Sequence, residues 1–317
     1  MDRLTWLDRL AQLPHPFTTA MAREVGLGYK ALHKLTLAGV IRRPIERVYV
    51  DASLPDSIEL RCRMLRLVVP TDCFVCDRTA SWLHAGARAL GPNEHLAVPP
   101  ISCFRPSDAG RLRNDLTASG EREILPRDLM EIHGLVATTP LRTALDLGRL
   151  QRTRDLKLHG MDTMLSLGAF THQEMLTEIP RFNRRRGVVL LRVLAPLADG
   201  GSESFGETAL RGRWHDAGLP RPETQIPITL NGVEIYRLDM GLEGLLFAAE
   251  YEGEAWHGED RALYDEERRD WLEQQRRWSI EVFRKASVFG HHQDAHIRLA
   301  AGFRAARASL GQRTFVI

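Results

Sequence analysis

Asp239, Glu250 and Glu252 are acids of the kind, and at the spacing, that could hold a divalent cation. Asp239 ends the run Tyr236-Arg-Leu-Asp239. Glu250 and Glu252 lie in Ala248-Ala-Glu250-Tyr-Glu252, after a glycine-containing turn. Side chains alternate faces along an extended strand, so Glu250 and Glu252 project one way while Phe247, Ala249 and Tyr251 enter a core. With Asp239 across the hairpin from Glu250, the three acids converge and repel one another. Mg2+ or Mn2+, which suit oxygen ligands, would neutralise such a cluster. The chemistry that follows is metal-assisted hydrolysis of a phosphodiester. The alternative is an ordinary solvated hairpin face. Against it stand the small Ala248-Ala249 pair and the apolar character of both strand faces, because an acid leaving a buried strand is costly unless paired or metal-bound.

The stretch from Ser202 to Arg284 resembles the PD-(D/E)XK nuclease superfamily, in the branch related to very-short-patch repair endonucleases. The resemblance is carried by Glu207-Thr-Ala-Leu-Arg211, Ala217-Gly-Leu-Pro-Arg-Pro-Glu-Thr-Gln225, Leu238-Asp239-Met-Gly, Glu250-Tyr-Glu-Gly253, His257, Asp265-Glu-Glu-Arg268, Trp278 and Arg284. It implies a restriction-endonuclease-like α/β domain. Asp239 and Glu250 would hold Mg2+ (or Mn2+), Glu207 would extend that shell or orient water, and His257 would assist at the scissile phosphate. Arg268, on an expected helix, would stabilise charge developing on that phosphate. Two residues depart from the pattern. Glu252 stands where the superfamily usually carries Lys, so positive charge must come from His257, Arg268 or a second metal. Arg277 stands where this branch tends to place Gly. Glu203, four residues earlier, competes for the role of Glu207.

The elements that must position these groups begin with the charge distribution. A formal net charge of +2 hides a division: Met1 to Val50 carries eight Lys/Arg against four Asp/Glu, whereas Glu207 to Arg284 carries ten against seventeen. The basic end attracts phosphates and the acidic end repels them unless metal neutralises its centre. At 317 residues the chain should form two or three domains, and 44% hydrophobic with 26% charged residues argues against wholesale disorder. No apolar stretch approaches a bilayer span, and Met1-Asp-Arg-Leu-Thr-Trp lacks a signal-peptide core, so a cytoplasmic protein without a membrane partner is expected. Cys73 and Cys76 form a C-x-x-C within an apolar run and without a second pair at zinc spacing; with Cys62 and Cys103 they read as buried thiols.

In the basic segment, Thr18-Thr-Ala-Met-Ala22-Arg-Glu-Val-Gly26 and the following Leu32 and Leu35 fit a helix-turn-helix. Thr18 or Thr19 caps the first helix, Ala22 allows a close crossing, and Gly26 makes the turn. Tyr29, Lys30, His33 and Lys34 then face outward on the recognition helix. Val40 to Val50 reads as a wing hairpin whose Arg42, Arg43 and Arg47 could contact phosphate oxygens of double-stranded DNA. This start is similar to that of AbiEi-type antitoxins. Further on, Thr79-Ala-Ser-Trp-Leu-His84 and Thr138-Thr-Pro-Leu-Arg142-Thr resemble the middle region of the same group, which implies a cognate toxin as a partner.

The remainder reads as scaffold. Leu60 to Leu67 and Thr79 to His84 look helical; Leu96-Ala-Val-Pro-Pro and Leu135-Val-Ala-Thr-Thr look like strands. Thr139 and Pro140 open a helix in which Arg142 and Asp146 form an i,i+4 pair. Arg181-Phe-Asn-Arg184-Arg-Arg186 is either a nucleic-acid track or a solvated turn, and His292 with His296 has the four-residue spacing of a metal pair. The resulting expectation is a multidomain α/β chain: a winged helix-turn-helix over 1–52, an α+β middle domain over 53–199, and the nuclease-like domain over 200–317. The leading function is a metal-dependent DNA endonuclease or nickase in a toxin-antitoxin or phage-defence context. A catalytically inactive DNA-binding repressor or antitoxin is the rival, an RNA-directed nuclease stays open, and a homo-oligomer is compatible with either.

Overall fold

The computed structural model describes residues 3–92, 94, 100–106, 121–253 and 259–314, and of residues 3, 121, 259–267 and 311–314 the backbone only. The chain is mixed α/β with several sheets, and it divides into two compact units: 1–147 with 167–175, and 148–166 with 176–317.

In the first unit, α1 (Arg3–Leu10) and β1 (Phe17–Thr18) precede α2 (Thr19–Glu24) and α3 (Tyr29–Leu37). The Thr18 hydroxyl accepts the Met21 N–H at 3.2 Å, satisfying one of the donors that a helix start leaves without a partner. Gly26 turns the chain at φ +77°, and a Cβ there would come within 2.1 Å of the Arg9 guanidinium. Ala22, Leu27, Leu32 and Leu35 fill the space beneath the two helices. β2 (Ile41–Ile45) and β3 (Val48–Asp51) form a hairpin, and the sheet runs β1-β3-β2.

Next come α4 (Ile58–Arg66), β4 (Phe74–Val75), α5 (Asp77–Ala85), β5 (Cys103–Pro106), β6 (Glu121–Arg122), β7 (Leu129–Ile132) and β8 (Leu135–Thr138), with strand order β6-β5-β4-β8-β7. The strand expected over 96–99 lies outside the described residues. All four cysteines are free, buried thiols; Cys62, Cys73 and Cys103 join Met64, Leu65, Val75 and Leu83 in one core. α6 (Pro140–Leu150) starts where its sequence demands, the Thr139 hydroxyl accepting the Arg142 N–H at 3.3 Å. Arg142 and Asp146 do pair, at 2.7 Å, but in the interior: Arg142 also meets Asp128 at 2.6 Å, and Arg122 bridges Asp146 to Asp77. Buried charges of both signs have to be matched in this way to be tolerated at all.

The second unit contains α7 (Arg154–Leu165), the end of α8 (His172–Glu178), α9 (Val188–Leu194), α10 (Phe205–Asp216), β9 (Glu223–Leu230), β10 (Val233–Leu242), β11 (Phe247–Glu252), α11 (Glu259–Arg276), β12 (Ser279–Arg284), α12 (Lys285–Val288) and α13 (Ala295–Thr314). β9, β10 and β11 form an antiparallel meander. β12 then lies parallel to β11, which requires a crossover, and α11 provides it. Phe247 and Ala249 pack with Trp214, Met240, Phe283 and Leu299, while Ala248 packs with Ile226, Leu272 and Trp278. β11 is therefore apolar on both faces over its first half, as a central strand must be. α7 and α10 are joined by a buried ion pair between Asp162 and Arg211. Asp162 also accepts the Thr208 hydroxyl and the Asp199 N–H, each at 2.8 Å. Among the described residues no helix is long and apolar enough to cross a membrane.

Candidate functional site

The meander brings the acids together. β10 and β11 pair Met240 with Ala249 and Gly241 with Ala248, so one further step sets Asp239 against Glu250, on one face. Asp239 ends that ladder with its side chain, Oδ2 accepting the Tyr251 N–H at 2.7 Å. Burial and then the charge of Glu207, with Glu250 adding to both, push the Asp239 carboxyl up to about 7; the Tyr251 N–H and the Arg268 charge act against them. The convergent acids are thus Glu207, Asp239 and Glu250.

Glu207 reaches the site from the first turn of α10. The Ser204 hydroxyl caps that helix by accepting the Glu207 N–H at 3.1 Å. Glu207 Oε2 in turn accepts the Glu203 N–H at 2.8 Å and Nε2 of Gln225 at 3.1 Å. Close approach of α10 to β11 depends on Gly206, where a Cβ would stand 2.0 Å from the Tyr251 ring. The partial positive charge of the helix start offsets some of the repulsion among the acids. Sequence reasoning overlooked Gln225 as a partner of Glu207, although it closes the stretch Ala217–Gln225 that carries part of the resemblance; Gln225 lies in the left-handed region, at φ 53°.

Glu250 and Glu252 do share a face but meet different cations. Arg268, from α11, binds Glu250 Oε1 at 2.6 Å, donates to the Arg237 carbonyl at 2.9 Å, and lies 5.3 Å over the Tyr236 ring. Its Nε is buried and has no hydrogen-bond partner among the described residues. Glu252 pairs with Arg284 at 2.8 Å, its direct neighbour across the parallel β11–β12 register. The structure therefore gathers Glu207, Asp239, Glu250 and Arg268, and places Glu252, half-buried, at the strand end. His257 lies outside the described residues. Among the described residues no three His, Cys, Asp or Glu side chains surround a common point as metal ligands. Two carboxylates with water completing the shell is nonetheless a usual Mg2+ arrangement, and Asp239 with Glu250 supplies oxygen donors of that kind.

At the other end of the chain, Tyr29, Lys30, His33 and Lys34 line the open side of α3, opposite buried Ala31, Leu32 and Leu35. The Tyr29 and His33 rings stack with centroids 6.2 Å apart, and the Lys34 ammonium lies 5.6 Å over Trp6. Arg43 and Arg47 are exposed, Arg47 at the tip of the hairpin with φ 61°. Arg42 is half-buried and donates to the Leu54 carbonyl at 2.9 Å. In the basic run, Arg181 pairs with Glu178 at 2.6 Å while Arg184, Arg185 and Arg186 are exposed. His292 precedes α13, so it does not share a helix face with His296.

Residues 73–197 match the family model of the AbiEi antitoxin C-terminal domain. Two curated proteins, one from each of two strains of Mycobacterium tuberculosis and both uncharacterized, are 36% identical over 154 residues, which is 48% of this chain and 56% of theirs. The chain thus spans about half the length of the curated relatives it matches, and its central region is similar to an antitoxin domain.

Proposed function

We propose that this chain recognises DNA through α2, α3 and the β2–β3 hairpin, acting as a winged helix-turn-helix, and that its second unit carries a Mg2+-dependent phosphodiesterase site of the PD-(D/E)XK kind. The setting would be a toxin-antitoxin or phage-defence system. The observation that carries the reading is Asp239, a carboxyl raised to about 7 with Glu207 and Glu250 acting on it, since such a cluster is relieved by a hard dication. The succession of α10, a three-stranded meander, α11 and a parallel strand is a mixed α/β arrangement, compatible with the α/β domain that the resemblance implies. Asp239 and Glu250 would hold the ion. When bound, it supplies Lewis acidity at a phosphoryl oxygen and a more acidic water. Glu207, held by Gln225 and the Glu203 N–H, would orient a nucleophilic water. Arg268 would bring the positive charge that Glu252 cannot, its Nε having no acceptor among the described residues. Supercoiled plasmid incubated with the protein should be nicked in Mg2+ or Mn2+, and neither in EDTA nor by Asp239→Ala.

The ion pairs favour a second reading. Glu250 with Arg268 and Glu252 with Arg284 are already neutralised pairs, and a site satisfied in that way does not require a metal. The chain would then be a DNA-binding repressor or antitoxin with a silent nuclease-like fold, and the match over 73–197 supports a cognate toxin as its partner. Absence of metal-dependent nicking on plasmid, linear duplex and single-stranded DNA, with duplex binding intact, would select this reading.

A further inference from the structure

Within the first unit a cavity of about 620 Å³ lies between β2 and α5, a volume in the range of small-molecule sites. Ile41 and Ile45 of β2, Trp82 of α5, Leu90 and Ile101 make its walls largely apolar. Its charged lining does not balance. Arg78 is matched by Glu94, and Asp56 by Arg61 at 2.7 Å, which leaves Arg42 and Arg43. Arg42 donates to a neutral carbonyl, that of Leu54, and Arg43 is exposed and makes no ion pair among the described residues. The β2–β3 register shifts between Arg42 and Ile45, and this irregularity lets two consecutive arginines border the same space. Trp82 is half-buried, with the Arg61 guanidinium 5.9 Å from its ring. An apolar and aromatic cavity with two guanidiniums that no acid among the described residues compensates selects a ligand of complementary character.

We propose that this cavity binds a small amphipathic anion, an aromatic or apolar body bearing one carboxylate, sulfonate or phosphate, with its charge on Arg42 and Arg43 and its body against Trp82 and Ile45. Arg42 and Arg43 belong to the hairpin assigned above to DNA phosphates. Ligand and duplex therefore compete for the same two side chains. The competition rests on the DNA-binding reading; the binding of the anion does not.

The probe is 8-anilinonaphthalene-1-sulfonate, titrated by fluorescence against the full chain. One site per chain is expected, weakened about tenfold or more in Arg43→Gln or Arg42→Gln, the loss of one charge-assisted contact each. The neutral analogue N-phenyl-1-naphthylamine should bind more weakly by a similar factor. A control removes the exposed apolar face of α9 through Val189→Ser with Val193→Ser, residues 70% and 60% exposed, and should leave the site intact. Binding that ignores both arginine replacements, or that disappears in the α9 variant, overturns the assignment. In anisotropy with labelled duplex, the probe should displace DNA; a duplex that stays bound at saturating probe overturns the competition. A chain that binds probe but no duplex refutes the DNA-binding reading and leaves the cavity assigned.

Discussion

Asp239 keeps its proton in the folded chain up to about pH 7, against an ordinary value of 3.8, so over that interval the folded state binds more protons than the unfolded one. Stability contributed by this group therefore falls as pH rises from about 4 to 7 and levels off above. Asp239→Asn should remove the slope: urea unfolding would show the variant gaining on the wild type between pH 4.5 and 7.5. Added Mg2+ should raise the wild-type melting temperature at pH 7.5 and leave the variant's unchanged, as ligand linkage requires. Arg277 gives a second residue-scale test. It adopts φ 60° where the resembling branch places Gly, a conformation costing a non-glycine residue about 1 kcal/mol. Arg277→Gly should stabilise the protein by up to about that amount, read from the denaturant midpoint. The approach of Asp239 to Glu250 was legible in the sequence because its signals are local: strand alternation sets Glu250 and Glu252 on one face, and a short hairpin sets Asp239 opposite, whereas Arg277 stood out only through the resemblance.

Elements hold these residues through contacts that no local pattern announces. α10 delivers Glu207 to Asp239 because Gly206 has no side chain where Tyr251 lies. Gly206→Ala should push the helix start off the strand, destabilise the unit by about 1–3 kcal/mol and weaken any Mg2+ response, as followed by thermal unfolding with and without the ion. α11 delivers Arg268 to Glu250. Arg268→Ala should leave Glu250 half-buried without its cation and cost more stability than Arg268→Lys, which retains charge but not the planar contact over Tyr236. The partner of Glu252 was not legible for a related reason. Pairing with Arg284 depends on the parallel register of β11 with β12, set by a crossover helix between two strands remote in sequence. The interior placement of Arg142 and Asp146 was hidden in the same way: their spacing predicts a pair on any helix, whereas Asp128, Arg122 and Asp77 arrive from other elements.

For the whole molecule, the basic start and acidic end predict opposite responses to salt. If α3 and the hairpin grip a duplex, the logarithm of affinity should fall linearly with that of salt concentration, and Lys30→Gln or Arg47→Gln should each reduce the slope by about 0.9. Electrophoretic mobility shift at several potassium chloride concentrations measures it, and slopes unaltered by both replacements would remove the duplex from this face. The cavity beside β2 was invisible to sequence reasoning, because its walls come from stretches that only the tertiary fold assembles. The chain's long-range organisation also bears on its history. Asp162 sits in the stretch similar to an antitoxin domain, and Arg211 downstream of it in the stretch proposed above to carry the phosphodiesterase site; each is enclosed and each answers the other's charge. Severing the gene at the glycine-rich turn after Asp199 would strand a guanidinium in the interior of the downstream fragment. That fragment should come out of cells as inclusion bodies, while one beginning at 148 remains in the supernatant. Transplanting the downstream part as a free cassette would thus require its neighbour's helix to travel with it.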